Sequence, residues 1–217
     1  MNRTAERELM DAPAHALAYA RADFSAPHDA FVQGFAERFP GFVAGKVLDL
    51  GCGPADISVR FARRYPEASL TAVDAAPAML ALARERLLDE GLTARIRLLE
   101  SYLPDARLAT RKFHVVMANS LLHHLADPAA LWSLIAAQHG ATLIYIVDLV
   151  RPGDEAELAR LVATYAADED PLLVSDFANS LRAAYRPEEI HAQLRAAELD
   201  LNVEVISDRH ITIWGTR

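Results

Sequence analysis

The chain has 217 residues, of which 52% are hydrophobic, so one domain with a substantial apolar core is expected. Its 22 basic and 30 acidic residues give a net charge of −8, which repels phosphate backbones and disfavours nucleic acid as a partner. The single cysteine, Cys52, excludes an internal disulfide. The charged start lacks the apolar stretch of a signal peptide, so we expect a cytoplasmic protein without a membrane span. The oligomeric state stays open, and a homodimer is compatible with the sequence.

The order of predicted elements indicates the fold class. The first forty residues are typical of helices interrupted at Pro13, Pro27 and Pro40. From Lys46 onward, short apolar runs suited to buried strands alternate with segments of helical period. This alternation predicts an α/β, doubly wound, mostly parallel sheet that is covered on both faces. The strand candidates are residues 47–50, 69–73, 94–99, 113–118 and 142–149.

The C-terminal part follows a different pattern. Residues 154–185 indicate additional helices, and Pro187 opens another helix. The last two apolar runs, 203–206 and 211–214, lie too close together for a crossover helix and predict an antiparallel hairpin. We therefore divide the single domain into four parts: an N-terminal helical lid (1–42), a donor-binding core (46–150), a helical insertion (154–185), and a C-terminal helix with the β-hairpin (186–217).

The turn after the first strand is the most informative segment for function. Gly51 and Gly53 let the backbone approach a ligand, and Asp49 lies at the strand end. Asp74 ends the second strand, where a carboxylate can accept hydrogen bonds from both hydroxyls of a ribose. Taken alone, each of these residues is also compatible with a tight turn or a helix cap. Their combination predicts a site for a ligand that contains a nucleoside.

The charge beside this turn separates two classes of ligand. A dinucleotide-binding oxidoreductase needs a third glycine where this chain has Asp56, and a carboxylate there repels a pyrophosphate. A positively charged sulfonium ligand with an ammonium group tolerates Asp49 and Asp56 as neighbours. The sequence therefore favours S-adenosylmethionine over a nicotinamide dinucleotide.

Three segments resemble motifs of the class I S-adenosylmethionine-dependent methyltransferase family. Residues 47–54 (VLDLGCGP) resemble its first motif, residues 70–74 together with 78–80 its second, and residues 113–125 its fourth-strand motif. The resemblance covers residues 46–149. It implies a Rossmann-like sheet of seven strands with an antiparallel last strand, and a methyltransferase of the small-molecule type.

The same resemblance implies roles for the residues around the methionine part of the donor. Gly51 and Gly53 would pack against it, and Asp49 would hold its ammonium group directly or through water. Asn119 would offer its backbone carbonyl. Ala55 stands where many members have a third glycine.

On the nucleoside side, the resemblance implies that Asp74 binds the ribose hydroxyls and that Met79 lies near the adenine. Ser101 and Tyr102 stand where many members carry an acidic residue that contacts the adenine amino group. We therefore expect the adenine to be contacted by backbone groups at these two positions.

The candidate catalytic residues are His123, His124 and Tyr19. Both histidines follow the fourth strand, at the sheet edge where ligands bind, and one of them could be a general base or a substrate ligand. Adjacent histidines cannot both face one site, so the other caps or packs. No spacing typical of metal ligands is found. Asp148 and Arg151 either face the pocket mouth or form an internal ion pair.

Several functions fit this pattern. The preferred one is methyl transfer to a small molecule, with residues 1–42 and 154–185 as a lid and Tyr19 and His28 as its first substrate contacts. A tRNA-modifying methyltransferase is a variant that the net charge disfavours. The sequence is also compatible with an NAD(P)-dependent oxidoreductase and with a methyltransferase-like protein that binds a ligand without catalysis.

Overall fold

Seven strands form one mixed sheet in the computed structural model, which describes residues 1–6 and 13–217. The first five strands along the chain are parallel, and the last strand is antiparallel to both of its neighbours. This arrangement confirms the predicted doubly wound sheet and its C-terminal hairpin. The strands are β1 (Ala44–Leu50), β2 (Glu67–Asp74), β3 (Ile96–Glu100), β4 (Val115–Asn119), β5 (Leu143–Leu149), β6 (Asn202–Val205) and β7 (His210–Thr216), in the spatial order β3-β2-β1-β4-β5-β7-β6.

The helices begin where the sequence carries start signals. Pro77 and Pro187 occupy first turns, and Asp154 caps the insertion by accepting a hydrogen bond from the backbone N–H of Glu157. The sequence predicts a helix break at Pro27, but Pro27 lies inside α2. It is tolerated there because it occupies the first turn, where the backbone N–H has no partner within the helix. The helices are α1 (Pro13–Arg21), α2 (Ser25–Arg38), α3 (Asp56–Arg64), α4 (Pro77–Asp89), α5 (Ala106–Ala109), α6 (Ala129–Ala136), α7 (Glu155–Tyr165), α8 (Pro171–Ala183) and α9 (Pro187–Ala196), with a 3₁₀ turn at Leu122–His124.

Two apolar clusters pack on the two faces of the sheet. One face is covered by α2, α3 and α4, and the other by α6 and α9. Alternation along β4 shows the division, because Met117 faces the first cluster while Val116 and Ala118 face the second. Such double coverage explains why the central strands are almost wholly apolar.

The N-terminal segment divides between the core and the sheet edge. The sequence predicts that both faces are already covered by crossover helices, so that residues 1–42 lie over the carboxyl edge. For α2 this is wrong, because Phe31 and Phe35 are buried against Tyr145 on a part of the face that α3 leaves open. Helix α1 instead packs on the start of α4 through Ala16 and Met79. Residues 7–12 of the predicted lid lie outside the described residues.

The helical insertion follows β5 and forms its own small apolar cluster at the carboxyl end of the sheet. Leu158 and Leu161 of α7 pack against Leu181 of α8 and against Leu149, the last residue of β5. The insertion is thereby held at the end of β5, and α8 also contacts the turn that follows β4. Among the described residues, no helix is long and apolar enough to cross a membrane.

Candidate active site

The glycine turn after β1 is held against the end of β2. The backbone N–H groups of Gly51 and Cys52 both donate to the carbonyl of Val73, at 2.8 and 2.9 Å. Gly51 and Gly53 have φ values of +71° and +52°, and a side chain at Gly51 would lie 3.0 Å from Leu121. A Cβ at Gly53 would meet nothing within 4 Å, so the backbone there is open to a ligand. Ala55 also has a positive φ, which is the conformation that glycine adopts most readily.

Asp49 lies directly below this turn and is only 3% exposed. Ser58, the third residue of α3, donates a hydrogen bond of 2.5 Å to one of its carboxylate oxygens. Burial raises the pKa of Asp49 to about 7, against the hydrogen bond from Ser58 and together with the charge of Asp74. The ionised form of Asp49 is therefore disfavoured in the donor-free protein, and a bound cation would stabilise it.

Asp74 ends β2 beside the turn and accepts two backbone hydrogen bonds. Its two oxygens receive the N–H groups of Gly53 and Ala76, each at 2.8 Å. Burial raises the pKa of this carboxyl, although the N–H donors and the charge of His124 act in the opposite direction. These backbone hydrogen bonds fix the carboxylate next to the glycine turn.

Two adjoining cavities open beside the turn. The smaller, about 30 Å³, brings together Tyr19 and Asn119 with the three predicted residues of the first motif, Asp49, Gly51 and Gly53. The larger, about 170 Å³, extends outward between α1, α2, α3 and α4. Both share the side chains of Tyr19, His28 and Asp56. Elements that are distant in the sequence thus line two adjoining cavities, whereas His123 and His124, also predicted for the site, line neither of them.

The residues predicted for the nucleoside side are placed less uniformly. Met79 is buried in the first turn of α4, near Tyr19 and Ala16. The Ser101 hydroxyl donates to Asp105 at 2.6 Å, and the Ser101 backbone N–H donates to the carbonyl of Asp74 at 3.0 Å. Tyr102 is 59% exposed, so its ring adds no enclosed surface for an adenine.

Asp56 differs most from what the sequence predicts. It is not an isolated charge beside the turn, because it pairs with His28 at 2.6 Å, with Arg60 at 2.7 Å and with Arg86. Burial alone would raise the pKa of this carboxyl, but His28 and Arg60 hold it well below its usual range. The expectation that the Asp56 carboxylate repels a pyrophosphate is therefore wrong, because the negative charge of Asp56 is neutralised by these partners.

The 3₁₀ turn after β4 carries the two adjacent histidines. Its first backbone N–H, that of Leu122, donates to Asp148 of β5 at 2.6 Å, and the Nδ1 atom of His123 lies 2.5 Å from the other carboxylate oxygen. Burial lowers the pKa of His123, but the charge of Asp148 outweighs it and raises the pKa above its usual value. Arg151 pairs with Glu189 instead, so the predicted option of an Asp148–Arg151 ion pair is wrong.

His124 meets the N-terminal segment of the chain, and the centroid of its ring lies 4.1 Å from that of His123. The expectation that adjacent histidines cannot both face one site is therefore wrong, because the tight 3₁₀ turn brings their ligand atoms to the same place. Its Nδ1 atom lies 2.7 Å from the carboxylate of Glu6. Arg3 places this segment by donating to the carbonyls of Ala183, His123 and Leu125, at 2.6, 3.1 and 3.3 Å. Sequence spacing could not reveal Glu6 or Arg3, because neither carries a motif and both are more than a hundred residues from the turn.

Tyr19, the third catalytic candidate, projects from α1 into both cavities. Burial, with added effects of the Asp56 and Asp74 carboxylates, raises the pKa of its hydroxyl to about 12. The hydroxyl therefore stays protonated at neutral pH and can donate a hydrogen bond, but it is a poor general base.

Comparison with known proteins agrees with this geometry. Residues 47–141 match a family model described as a methyltransferase domain. The ubiquinone biosynthesis O-methyltransferase of Pseudomonas aeruginosa (strain LESB58) is 32% identical over 169 residues, which cover 74% of this chain and 67% of the relative. The trans-aconitate 2-methyltransferase of Mycobacterium ulcerans is 32% identical over 131 residues, covering 59% and 44%.

A solved methyltransferase from Aquifex aeolicus, described as SAM dependent, has the same fold. It superposes with a TM-score of 0.70 at 15% identity and covers 94% of this chain and 97% of its own. The seven-stranded sheet, the glycine turn and the sequence match together define the class. The chain belongs to the class I S-adenosylmethionine-dependent methyltransferases.

Proposed function

We propose that this methyltransferase transfers the methyl group of S-adenosylmethionine to an oxygen of a small molecule in the cytoplasm. The observation that carries the proposal is the convergence of Asp49, Gly53 and Asp74 at one sheet edge, beside a cavity lined by Asn119 and Tyr19. The name of the Pseudomonas relative, an O-methyltransferase, supports oxygen as the acceptor atom.

The residues present fit the donor chemically. When bound, the donor supplies a methyl group on a positively charged sulfur, which leaves as a neutral thioether. The carboxyl of Asp49 is buried and would gain a counter-ion from the donor's ammonium group. The carboxylate of Asp74 already accepts backbone N–H groups and has lone pairs left for ribose hydroxyls. The open backbone at Gly53 leaves room for the methionine part.

On the nucleoside side, we propose that Met79 packs near the adenine. The backbone of Ser101 and Tyr102 would contact the adenine edge. The Ser101 hydroxyl supports this assignment, because its bond to Asp105 fixes the loop after β3.

The acceptor would enter from the side of the 3₁₀ turn. His124 is 26% exposed there, while His123 is buried behind it, so His124 is the histidine within reach of an acceptor. Tyr19 would donate a hydrogen bond from the opposite wall. The main task of these groups is to align the acceptor oxygen with the methyl group, because an in-line displacement depends on orientation.

We propose that α1 and α8 form the lid of this site. They meet through His15 and Asp176, whose nitrogen and oxygen atoms lie 3.3 Å apart. The residues 1–6 tie the same region to the 3₁₀ turn. A lid of this kind excludes water and holds the acceptor. The net charge of −8 supports a small molecule over a tRNA.

The proposal is tested with purified protein and S-adenosylmethionine that carries a labelled methyl group. Calorimetric titration should show micromolar donor binding and no comparable binding of NAD. Transfer of label to phenols or alcohols in a panel of small acceptors, and not to tRNA, would support the function. Donor binding without transfer to any class of acceptor would favour a non-catalytic protein, and tighter binding of NAD would contradict the assignment of the site.

A further inference from the structure

Glu6, His123 and His124 form a compact group of potential metal ligands beside the 3₁₀ turn. One ligand atom from each residue lies within 4.8 Å of the ligand atoms of the other two. An ion bound at about 2.1 Å from each ligand needs separations of about 3.4–4.2 Å between them, so shifts on the order of 1 Å would complete the geometry. His123 and His124 are neighbours in the turn after β4, and folding brings Glu6 of the N-terminal segment to them.

The surroundings of His123 are typical of a metal ligand. Its Nδ1 atom is held by Asp148 at 2.5 Å, which leaves Nε2 as the ligand atom. A ligating histidine commonly has its other nitrogen bonded to a carboxylate, which fixes the tautomer and the ring and raises the basicity of the ligand. Asp148 is itself fixed by the backbone N–H of Leu122 at 2.6 Å.

Glu6 has a supporting contact of the same kind. The hydroxyl of Ser180, on α8, donates to one of its carboxylate oxygens at 3.3 Å, while the other oxygen lies 2.7 Å from Nδ1 of His124. Arg3 holds the segment in place through the carbonyls of His123 and Leu125. Each end of the group is therefore positioned by the fold, and does not depend on an exposed side chain alone.

We propose that Glu6, His123 and His124 bind one divalent metal ion of the zinc class. Two imidazoles and one carboxylate form the ligand set of a catalytic zinc site that keeps an open coordination position. Imidazole nitrogens favour zinc and its neighbours over magnesium or calcium, which prefer oxygen ligands. His124 is 26% exposed, so an ion held by the three side chains stays accessible to a further ligand.

The consequence for the reaction rests on the proposed function. A hydroxyl of the acceptor bound to the ion would lose its proton to water, because the ion lowers the pKa of a bound hydroxyl. The acceptor oxygen then forms the bond to the methyl carbon as the carbon–sulfur bond breaks. The electron pair of that bond stays on the sulfur, and the methylated oxygen leaves the ion.

The test uses full-length protein stripped with EDTA and then titrated with Zn²⁺ in competition with a chromophoric chelator. We expect one equivalent of tightly bound zinc, and a visible absorption band when Co²⁺ replaces it. Glu6→Gln and His124→Asn should each weaken zinc binding at least about tenfold, as should Asp148→Asn through His123. His191→Asn is the control, because it removes an exposed imidazole on α9, away from the site, and should leave zinc binding unchanged.

Melting curves recorded in EDTA show whether each variant is folded, so a loss of zinc by a folded variant supports the site. Failure of the wild type to take up stoichiometric zinc would overturn the inference, as would equal affinity in wild type, Glu6→Gln and His124→Asn. Donor binding is measured separately, in EDTA. Retained donor binding without zinc uptake rejects only the metal site, whereas zinc uptake without donor binding rejects the proposed function.

Discussion

At the scale of single residues, Asp74 connects the glycine turn to the predicted ribose site. We expect Asp74→Ala to weaken S-adenosylmethionine binding by about 2–4 kcal/mol, because two hydrogen bonds to a charged acceptor are lost. The bonds from Gly53 and Ala76 are lost as well, so the melting temperature should also fall. Calorimetry and thermal melting measure the two effects.

A neighbouring strand offers the control for Asp74. Glu100 lies opposite Asp74 in the register of β2 and β3 and is exposed at the end of its strand. Glu100→Ala should leave donor affinity unchanged. Equal losses of affinity in the two variants would show that the effect is general electrostatics and would remove Asp74 from the ribose site.

Asp49 should make donor binding depend on pH. Its pKa is raised to about 7 by burial, and an ammonium group binds only to the ionised carboxylate. Affinity should therefore rise with pH up to about 7 and then level off, with a slope approaching tenfold per pH unit on the acid side. Calorimetry across this range measures the effect, and an Asp49→Asn variant with the same pH dependence would contradict it.

The same carboxyl should change the stability of the donor-free protein in the opposite direction. A pKa that is higher in the folded than in the unfolded state stabilises fully below the unfolded value near 3.8, and this stabilisation is lost as pH rises through about 7. Ser58→Ala removes the hydrogen bond that lowers the pKa of Asp49 against the effect of burial. The variant should therefore raise the pH at which donor affinity levels off and the pH at which the stabilisation is lost.

At the scale of elements, Asp56 joins three helices. It begins α3 and pairs with His28 of α2, Arg60 of α3 and Arg86 of α4. Asp56→Asn should lower the free energy of unfolding by about 1–3 kcal/mol, because three donors lose a charged acceptor. The contribution is complete above the ordinary pKa near 3.8 and is lost as the pH falls below it.

Denaturant unfolding at neutral and acid pH measures this effect. Asp29→Asn is the control, since Asp29 is exposed and, within the described part of the chain, forms an ion pair with Arg60 alone, so it should cost less than about 1 kcal/mol. A loss in Asp56→Asn no larger than that of the control would mean that the helices are held together by apolar packing without help from this cluster.

The elements also show what the sequence can and cannot predict. The positions of the strands along the chain, the glycine turn and the strand-end positions of Asp49 and Asp74 follow from local patterns, because each is fixed by residues close in the chain. The partners of Asp56 and His124 do not, since they depend on which helix packs on which face. The placement of α2 was wrong for a related reason, because the sequence does not show that α3 leaves part of the sheet uncovered.

At the scale of the whole molecule, α2 belongs to the core. Phe35 is fully buried against Phe61 and Tyr145, on the face of the sheet opposite α6 and α9. Phe35→Ala should cost about 3–5 kcal/mol of unfolding free energy, as large-to-small changes in a core do. Val43→Ala, at a position 72% exposed, should stay within about 0.5 kcal/mol of the wild type. Denaturant unfolding compares them, and equal values would mean that α2 is loosely attached.

The remaining N-terminal residues should be separable from the core. Deleting residues 1–42 should prevent folding, because it strips Phe31 and Phe35 from the sheet. Deleting only residues 1–21 removes Glu6 and Tyr19 from the site but leaves α2 in place. That shorter deletion should give a cooperatively melting protein whose turnover is lost, since the acceptor loses its wall and its water barrier. Circular dichroism and the labelled-methyl assay measure the two outcomes. Full activity in the shorter protein would show that residues 1–21 serve packing alone, and loss of cooperative melting would show that α1 is part of the core.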